Sequence, residues 1–229
     1  MLEMKPILFN TEMVKAILDG KKTVTRRVIK PQPTGAIAHL SVGSCWPGYF
    51  GCEESERVLK PPFMEGDLLY VRETWQFIPC IDCRAHVHGG CIEVPVTYED
   101  RDSVGEGCFV YRADYPEPER VRWHPSIHMP KKAARLVLRV KAVRAERLQD
   151  ITEAEAKSEG AERAYPYADH ETGRTVYVAD NNATYRGGFA CAWDRTIPKN
   201  PNKFKRFPYY WEDNPWVWVI EFEREGRVE

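Results

Sequence analysis

The chain has 229 residues, of which 43% are hydrophobic and 12% aromatic, so the composition supports a folded core and excludes a wholly disordered protein. The formal net charge of -1 excludes a bulk electrostatic attraction to nucleic acid, and a nucleic-acid role would need a local basic patch. No run of about 18 apolar residues occurs, and we expect a cytoplasmic protein without a membrane partner.

A short helix and a strand come first in chain order. The segment NTEMVKAILDG predicts a helix that Asn10 or Thr11 caps and that Gly20 ends. The segment TVTRRVI alternates β-branched and polar residues, as a half-buried strand does. Residues 31–64 are rich in proline, glycine and serine, and they predict a long loop or insertion.

The middle of the chain predicts further strands separated by irregular segments. In EGDLLYVRETW a turn precedes a strand, with Leu69 and Val71 on one face. Residues 76–106 predict a second irregular region, and CFVYRAD a further strand. WHPSIHMPKKA is a proline-bounded loop, and ARLVLRVKAVRAERL alternates as a long strand or a bent pair of strands would.

The last part of the chain predicts two helices and a closing strand. DITEAEAKSEG carries a capping box at Thr152 and Glu155, and Gly160 ends that helix. Residues 161–184 predict another loop insertion, GGFACAWDRTI a helix and PWVWVIEFERE a strand. This order predicts an α+β fold, a small and mostly antiparallel β-barrel with flanking helices and long loop insertions.

The segment GKKTVTRR, residues 20–27, concentrates groups that bind anions. It offers two ammonium groups, two guanidinium groups and two hydroxyls. It lacks the G-x-x-x-x-G-K-[ST] spacing of a phosphate-binding loop. Spacing alone leaves open whether the segment is a charged edge strand or the wall of a site.

Five segments occur in one order along the chain: KPILFNTEMVKAILDGKKTVTRRVIKP, GDLLYVRETW, WHPSIHMPKKAARLVLRV, RLQDITEAEAKSEG and NPWVWVIEFER. Together they resemble the ASCH domain family, in the large form common in bacteriophage and prophage genomes. The family hallmark G-x-K-x-x-x-x-R is matched by Gly20, Lys22 and Arg27.

The resemblance implies a fold similar to the PUA domain, a β-barrel with flanking helices. It implies a single domain over residues 1–229, with insertions near 35–62, 76–106 and 161–184 that lie outside the resemblance. Family members are linked to RNA or nucleotide recognition, so we expect a nucleoside, a nucleotide or RNA as partner. Some small bacterial relatives hydrolyse the amide of N4-acetylcytidine, and ribonuclease activity has been proposed for others.

In those amidohydrolases the site uses a lysine and a threonine of a G-x-K-x-x-T motif and a glutamate of a later helix. The matching positions are Lys22, Thr25 and Glu159, in roles that require no cofactor. A lysine beside arginines in a partly dry site has a lowered pKa and can activate Thr25 as nucleophile, while Glu159 transfers protons. Residues three apart on a regular strand face opposite ways, so this assignment predicts a turn or bulge between Lys22 and Thr25.

We expect further side chains to line the same cleft and contact the substrate: Arg26, Arg27, Arg72, Glu73, Trp123, Ser126 and His128. For Arg72 and Glu73 the alternative is a strand-end ion pair beside a buried indole. Trp123 is suited to stack on a base, although tryptophan is more often a core residue. Ser126 and His128 lack a G-x-S-x-G elbow, which disfavours a hydrolase of the serine–histidine–acid type.

The cysteines suggest a structural zinc site. Seven is an odd number, which disfavours a fully paired disulfide framework. Cys80 and Cys83 form a half-site for tetrahedral zinc, and Cys91 follows within reach. Cys45 and Cys52 in the other insertion would complete the site and pin two loops together. The alternative is a surface hairpin whose thiols bind no metal.

Two classes of function therefore remain open on the sequence. One is an amidohydrolase that acts on the C–N amide bond of a modified nucleoside. The other is a non-catalytic RNA-binding module, or a phage accessory or interaction module, that uses the same basic cleft.

Overall fold

The computed structural model describes residues 4–40, 47–54, 57–80, 96–99, 104–115, 122–168, 175–178, 182–197 and 209–226. Its α-helices are α1 (Thr11–Leu18), α2 (Glu153–Ser158) and α3 (Tyr185–Thr196). Its strands are β1 (Lys5–Leu8), β2 (Val24–Val28), β3 (Ile37–His39), β4 (Phe50–Cys52), β5 (Arg57–Leu59), β6 (Leu68–Arg72), β7 (Trp75–Pro79), β8 (Val96–Glu99), β9 (Val104–Tyr111), β10 (Val137–Arg147), β11 (Tyr165–Ala168), β12 (Thr175–Val178) and β13 (Trp216–Gly226).

The chain divides into two compact units. The first unit comprises Met1–Leu18, Leu68–Leu138 and Arg224–Glu229, and the second comprises Asp19–Asp67 and Arg139–Glu223. A mixed, strand-rich α and β structure is confirmed for the described residues. The closed barrel and the single domain over residues 1–229 stay predictions. Within the described ranges, none of the helices combines the length and the apolar composition needed to cross a membrane.

The first unit contains a parallel strand pair and an aromatic core. Strands β1 and β6 pair in parallel, with Ile7 opposite Val71, and β7, β9 and β8 form an antiparallel sheet in that order. Leu69 and Val71 are fully buried, which confirms the predicted inward face of β6. The aromatic and aliphatic side chains that pack together in this unit are Trp75, Phe77, Tyr98, Phe109, Met129, Ala133 and Ala134.

The second unit contains strands β10, β13 and β2, which are neighbours in that order. Strand β2 pairs antiparallel with β13, and Arg26 lies opposite Val219. Helices α2 and α3 both bury apolar side chains, which pack in one cluster with side chains of these strands. The cluster comprises Val24, Leu148, Ile151, Ala156, Phe189, Trp193, Val217 and Val219.

The elements with strong local patterns form as predicted. Asn10 caps α1 by accepting a hydrogen bond from the Met13 amide at 2.8 Å, and Gly20 adopts a φ of 71° just after the helix. The predicted capping box of α2 is present, and residues 216–226 form the closing strand. All of GGFACAWDRTI except the C-cap residue Ile197 lies in α3, which confirms that helix.

The predicted loop insertions contain short strands. Strands β3, β4 and β5 form an antiparallel sheet within residues 31–64, and β11 and β12 form a hairpin within 161–184. The predictions of loops there are wrong for the described residues. Strands of three or four residues are too short to show a period-2 pattern, so the sequence did not distinguish them from loops.

Candidate functional site

The backbone changes pairing partner between Lys22 and Thr25. Lys22 forms an isolated antiparallel bridge with Glu159, and the Thr23 amide donates to the Ser158 carbonyl at 2.8 Å. From Val24 onward the chain belongs to β2 and pairs with β13. The irregularity predicted between Lys22 and Thr25 is therefore a change of partner, not a turn or a bulge.

The Lys22 side chain makes a fully buried ion pair with Glu159. Its Nζ lies 2.5 Å from Glu159 Oε2, and it also donates to the Glu159 carbonyl at 2.8 Å and the Val24 carbonyl at 2.7 Å. Lys22 is only 2% exposed and Glu159 only 8%. Three acceptors match the three N–H donors of an ammonium group and offset part of the loss of hydration.

Helix α2 fixes the position of Glu159. The Thr152 hydroxyl accepts from the Glu155 amide, and the Glu155 carboxylate accepts from the Thr152 amide at 2.9 Å. Glu159 is the C-cap residue, and its amide donates to the Glu155 carbonyl. Gly160 follows with a φ of 80°, a conformation that glycine adopts without strain. The bridge to Lys22 therefore depends on where this short helix ends.

Arg26 approaches the other oxygen of the same carboxylate. Arg26 NH1 lies 3.3 Å from Glu159 Oε1, while NH2 lies 3.3 Å from Glu155 Oε2 and 3.5 Å from Glu146 Oε2. The Arg26 side chain is completely buried and its guanidinium lies 5.8 Å from the Phe189 ring, while its Nε has no hydrogen-bond partner among the residues that the structure describes. The sequence predicts that Arg26 contacts the substrate. In the structure its guanidinium is instead buried among carboxylates.

Arg144 contacts two of these carboxylates from the outside. Its guanidinium forms ion pairs with Glu146, Glu155 and Glu221. We call Arg26, Arg144, Glu146, Glu155 and Glu221 the arginine–carboxylate cluster. The sequence predicted no site role for Arg144, Glu146 or Glu221 and placed Glu155 only in the capping box, and the R-x-E alternation of residues 144–146 on β10 was the one hint of charges on one face.

Thr25 and Arg27 lie on β2 between these charged residues. Thr25 is 1% exposed and pairs with Ile220, while Arg27 is half-buried and pairs with Trp218. Because side chains alternate along a strand, Thr25 and Arg27 point to the face opposite Arg26. The structure thus brings Lys22, Arg26 and Glu159 into contact and puts Thr25 on the adjoining strand.

Burial dominates the electrostatics of the pair. Burial lowers the pKa of Lys22, and the neighbouring Glu159 carboxylate offsets only part of this effect. Burial also lowers the pKa of Arg27, again partly offset by Glu159. Burial raises the pKa of Glu155, but hydrogen bonds from Thr152 and the charge of Arg26 outweigh it, and the net pKa is lowered. A lysine with a lowered pKa is suited to exchange a proton with its partner.

Arg72 and Glu73 belong to the first unit and have other partners. Glu73 is 1% exposed and forms a bidentate pair with Arg135, with oxygen–nitrogen distances of 2.9 and 3.1 Å. Arg72 donates to the Ile127 carbonyl. The strand-end ion pair considered for Arg72 and Glu73 therefore forms with Arg135 instead. Burial raises the pKa of Glu73, and Arg135 opposes this shift without cancelling it.

The remaining predicted contacts of the substrate also lie in the first unit. Trp123 is half-buried, with its ring centroid 5.6 Å from that of Tyr115. Ser126 and His128 form the ends of one turn of 3-10 helix, where His128 is exposed and Ser126 half-buried. A cleft shared by these residues and Lys22 stays a prediction.

The predicted zinc ligands are only partly described. Cys45, Cys83 and Cys91 lie outside the described residues, while Cys52 is buried and Cys80 half-buried. Among the side chains that the structure describes, no group of three histidine, cysteine, aspartate or glutamate residues converges as a metal site would. The zinc site stays a prediction.

Comparison of the chain with models of protein families, with curated proteins and with solved structures finds no match.

Glu159→Gln and Lys22→Met should destabilise the protein unequally. Glu159→Gln leaves a buried ammonium without a countercharge, whereas Lys22→Met leaves the Glu159 carboxylate beside Arg26. We expect Glu159→Gln to lower the free energy of unfolding by about 3–5 kcal/mol, as removal of one partner of a buried pair does, and Lys22→Met by less. Urea unfolding measures both. Lys21→Met, at a side chain that is 70% exposed, is the matched control. Equal losses would contradict the asymmetry.

The lowered pKa of Lys22 predicts a pH dependence of stability. In the unfolded chain Lys22 keeps its proton up to about pH 10.5, whereas in the folded protein it loses that proton at lower pH. Between the two pKa values the unfolded chain binds more protons, so stability rises with pH by at most about 1.4 kcal/mol per pH unit. We expect the stability difference between wild type and Lys22→Met to shift in favour of wild type from neutral pH to pH 10. A shift in the opposite direction would indicate a raised pKa.

Proposed function

We propose that the protein is an ASCH-type amidohydrolase that removes an acyl group from the exocyclic amine of a nucleoside, as in N4-acetylcytidine. The observation that carries the proposal is the buried contact between Lys22 Nζ and Glu159 Oε2. These two residues lie 137 positions apart and match the lysine and glutamate that the resemblance assigns to catalysis. In this proposal the partner is a nucleoside, a nucleotide or RNA. The protein acts in the cytoplasm and has the architecture of a PUA-like β-barrel.

The proposed reaction uses the pair for proton transfer. Lys22 in its neutral form accepts the proton of the Thr25 hydroxyl, and the Thr25 oxygen attacks the acyl carbon. The C–N bond then breaks, and Glu159 passes the proton that Lys22 took up from Thr25 to the departing exocyclic amine. Water hydrolyses the acyl ester on Thr25, which releases the carboxylic acid and regenerates the hydroxyl. Strand alternation puts the Thr25 side chain on the face of β2 opposite Arg26, so the mechanism requires the Thr25 hydroxyl to come within hydrogen-bond reach of Lys22 in the substrate complex.

A second candidate is a non-catalytic binding module, and one observation favours it. The three hydrogens of the Lys22 ammonium already face Val24 O, Glu159 O and Glu159 Oε2. A charged lysine in this arrangement has no further hydrogen for a ligand and acts as a structural link. The module would then bind RNA or a phage or host partner through other residues of its basic segments.

Turnover of modified nucleosides separates the two candidates. We expect wild type to release acetate from N4-acetylcytidine, and Lys22→Met or Thr25→Val to lower kcat/KM at least about 1000-fold, as loss of a catalytic residue does. Lys21→Met and Thr23→Val are matched controls, because both side chains are exposed neighbours outside the proposed machinery. Chromatography of the products and circular dichroism of each variant provide the measurements.

The contrary outcome is equally specific. If wild type turns over no member of a panel of acylated nucleosides but binds RNA with an affinity that falls as salt rises, the amidohydrolase proposal fails and the binding module stands. Turnover that survives Lys22→Met would also exclude Lys22 as the base.

Zinc is a separate structural proposal. Two long insertions could be held together by a tetrahedral site that includes Cys80 and Cys83. Protein purified without chelator should contain about one zinc ion per chain by mass spectrometry, and Cys83→Ser should lose it. Cys108→Ser, outside the predicted ligands, should retain it. Protein that contains no zinc would contradict this proposal.

A further inference from the structure

Arg26 divides the Glu159 carboxylate between two cations. Its NH1 group contacts Oε1 at 3.3 Å, while Lys22 Nζ takes Oε2 at 2.5 Å. The two oxygens therefore have different partners, and the carboxylate cannot rotate without losing one of them. This arrangement fixes which oxygen of Glu159 faces Lys22.

The position of Arg26 is in turn fixed by two other carboxylates. Its NH2 group contacts Glu155 at 3.3 Å and Glu146 at 3.5 Å, and Arg144 pairs with both of these glutamates from the other side. Glu146 and Arg144 lie on β10, Glu155 on α2, and Arg26 on β2. The Arg26 guanidinium therefore links strand β10 and helix α2 to β2.

Helix α2 has a second anchor at its start. The Glu153 carboxylate accepts hydrogen bonds from the Tyr185 amide at 2.9 Å and the Arg186 amide at 3.1 Å, at the first turn of α3. Both ends of α2 are thus held, the beginning by α3 and the end by Lys22 and Arg26. Glu159 has little freedom to move relative to β2.

Stability alone accounts poorly for an arginine at this position. The side chain is completely buried, its Nε lacks a hydrogen-bond partner within the described part of the chain, and its ion-pair distances of 3.3–3.5 Å exceed the 2.7–2.9 Å of strong charge-assisted bonds. Buried ion pairs of imperfect geometry are often no more stable than well-packed apolar residues. An apolar side chain at position 26 would also pack beside Phe189, but it could not orient Glu159.

We infer that Arg26 is a positioning residue that holds Glu159 Oε1 and so presents Oε2 to Lys22 for proton exchange. The catalytic part of this inference rests on the proposed amidohydrolase function. Arg26 does not contact the substrate in this account, in contrast to the binding role that the sequence predicts for it.

The test compares Arg26→Met, which removes the charge, with Arg26→Lys, which keeps it but cannot span the carboxylates as a guanidinium does. Lys141→Met on β10 is the matched control, because Lys141 is exposed and pairs with the exposed Glu223. The kinetic constants kcat and KM are measured with N4-acetylcytidine as substrate, and kcat is calculated from the concentration of folded protein. A second readout is the titration of Lys22 by NMR in protein labelled with [ε-13C]lysine, in which Lys22→Met identifies the resonance.

We expect Arg26→Met to lower kcat about 100-fold, the effect of a catalytic group displaced by about 1 Å, with KM little changed. The pKa of Lys22 should rise in this variant, because the charge of Arg26 lowers it in wild type. Arg26→Lys should restore the Lys22 pKa and part of kcat, and it remains a test even where Arg26→Met does not fold. An unchanged kcat in Arg26→Met would overturn the inference. Because the charge of Arg26 acts on the Lys22 pKa by itself, the part of kcat that Arg26→Lys does not restore measures the positioning role. A wild-type protein that hydrolyses no nucleoside would instead contradict the proposed function, so the two failures are distinguishable.

Discussion

The second unit depends on one buried electrostatic contact, the pair of Lys22 and Glu159. Desolvation of two charges costs several kcal/mol per ion, and such a pair persists only where hydrogen bonds satisfy the remaining donors and acceptors. Here two backbone carbonyls accept the remaining hydrogen bonds of the Lys22 ammonium, and Arg26 pairs with the second oxygen of the Glu159 carboxylate. The contact fixes the register between the chain entering β2 and the end of α2, so the two must form together.

The buried contact between Lys22 and Glu159 has two opposite interpretations. They differ in whether the Lys22 amine carries its third proton. With a charged lysine, the saturated ammonium is a structural link within the second unit. With a neutral lysine, which burial favours, the amine has a lone pair and can accept a proton from a nucleophile. The arginine–carboxylate cluster is compatible with both states because it orients Glu159 without using the hydrogens of Lys22.

Local signals in the sequence were sufficient for the ends of α1 and for helix α2, at whose end Glu159 lies. Asn10, Gly20 and the capping box of Thr152 and Glu155 determine helix ends through hydrogen bonds within a few residues, which a sequence displays directly. The pairing of Lys22 with Glu159 followed from the family resemblance alone, since no local rule links residues so far apart. The pairing of Arg144 with Glu221 joins residues distant in the sequence, and strands β3–β5 are too short to show a period-2 pattern, so the sequence predicted neither.

A double-mutant cycle on Lys22 and Glu159 tests the central claim most directly. Urea unfolding of wild type, Lys22→Met, Glu159→Gln and the double variant gives the coupling energy between the two side chains. A direct buried contact predicts that the double variant loses less stability than the sum of the single losses, with a coupling of at least about 1 kcal/mol. Losses that add to within about 0.5 kcal/mol would contradict the contact on which the account of this site rests.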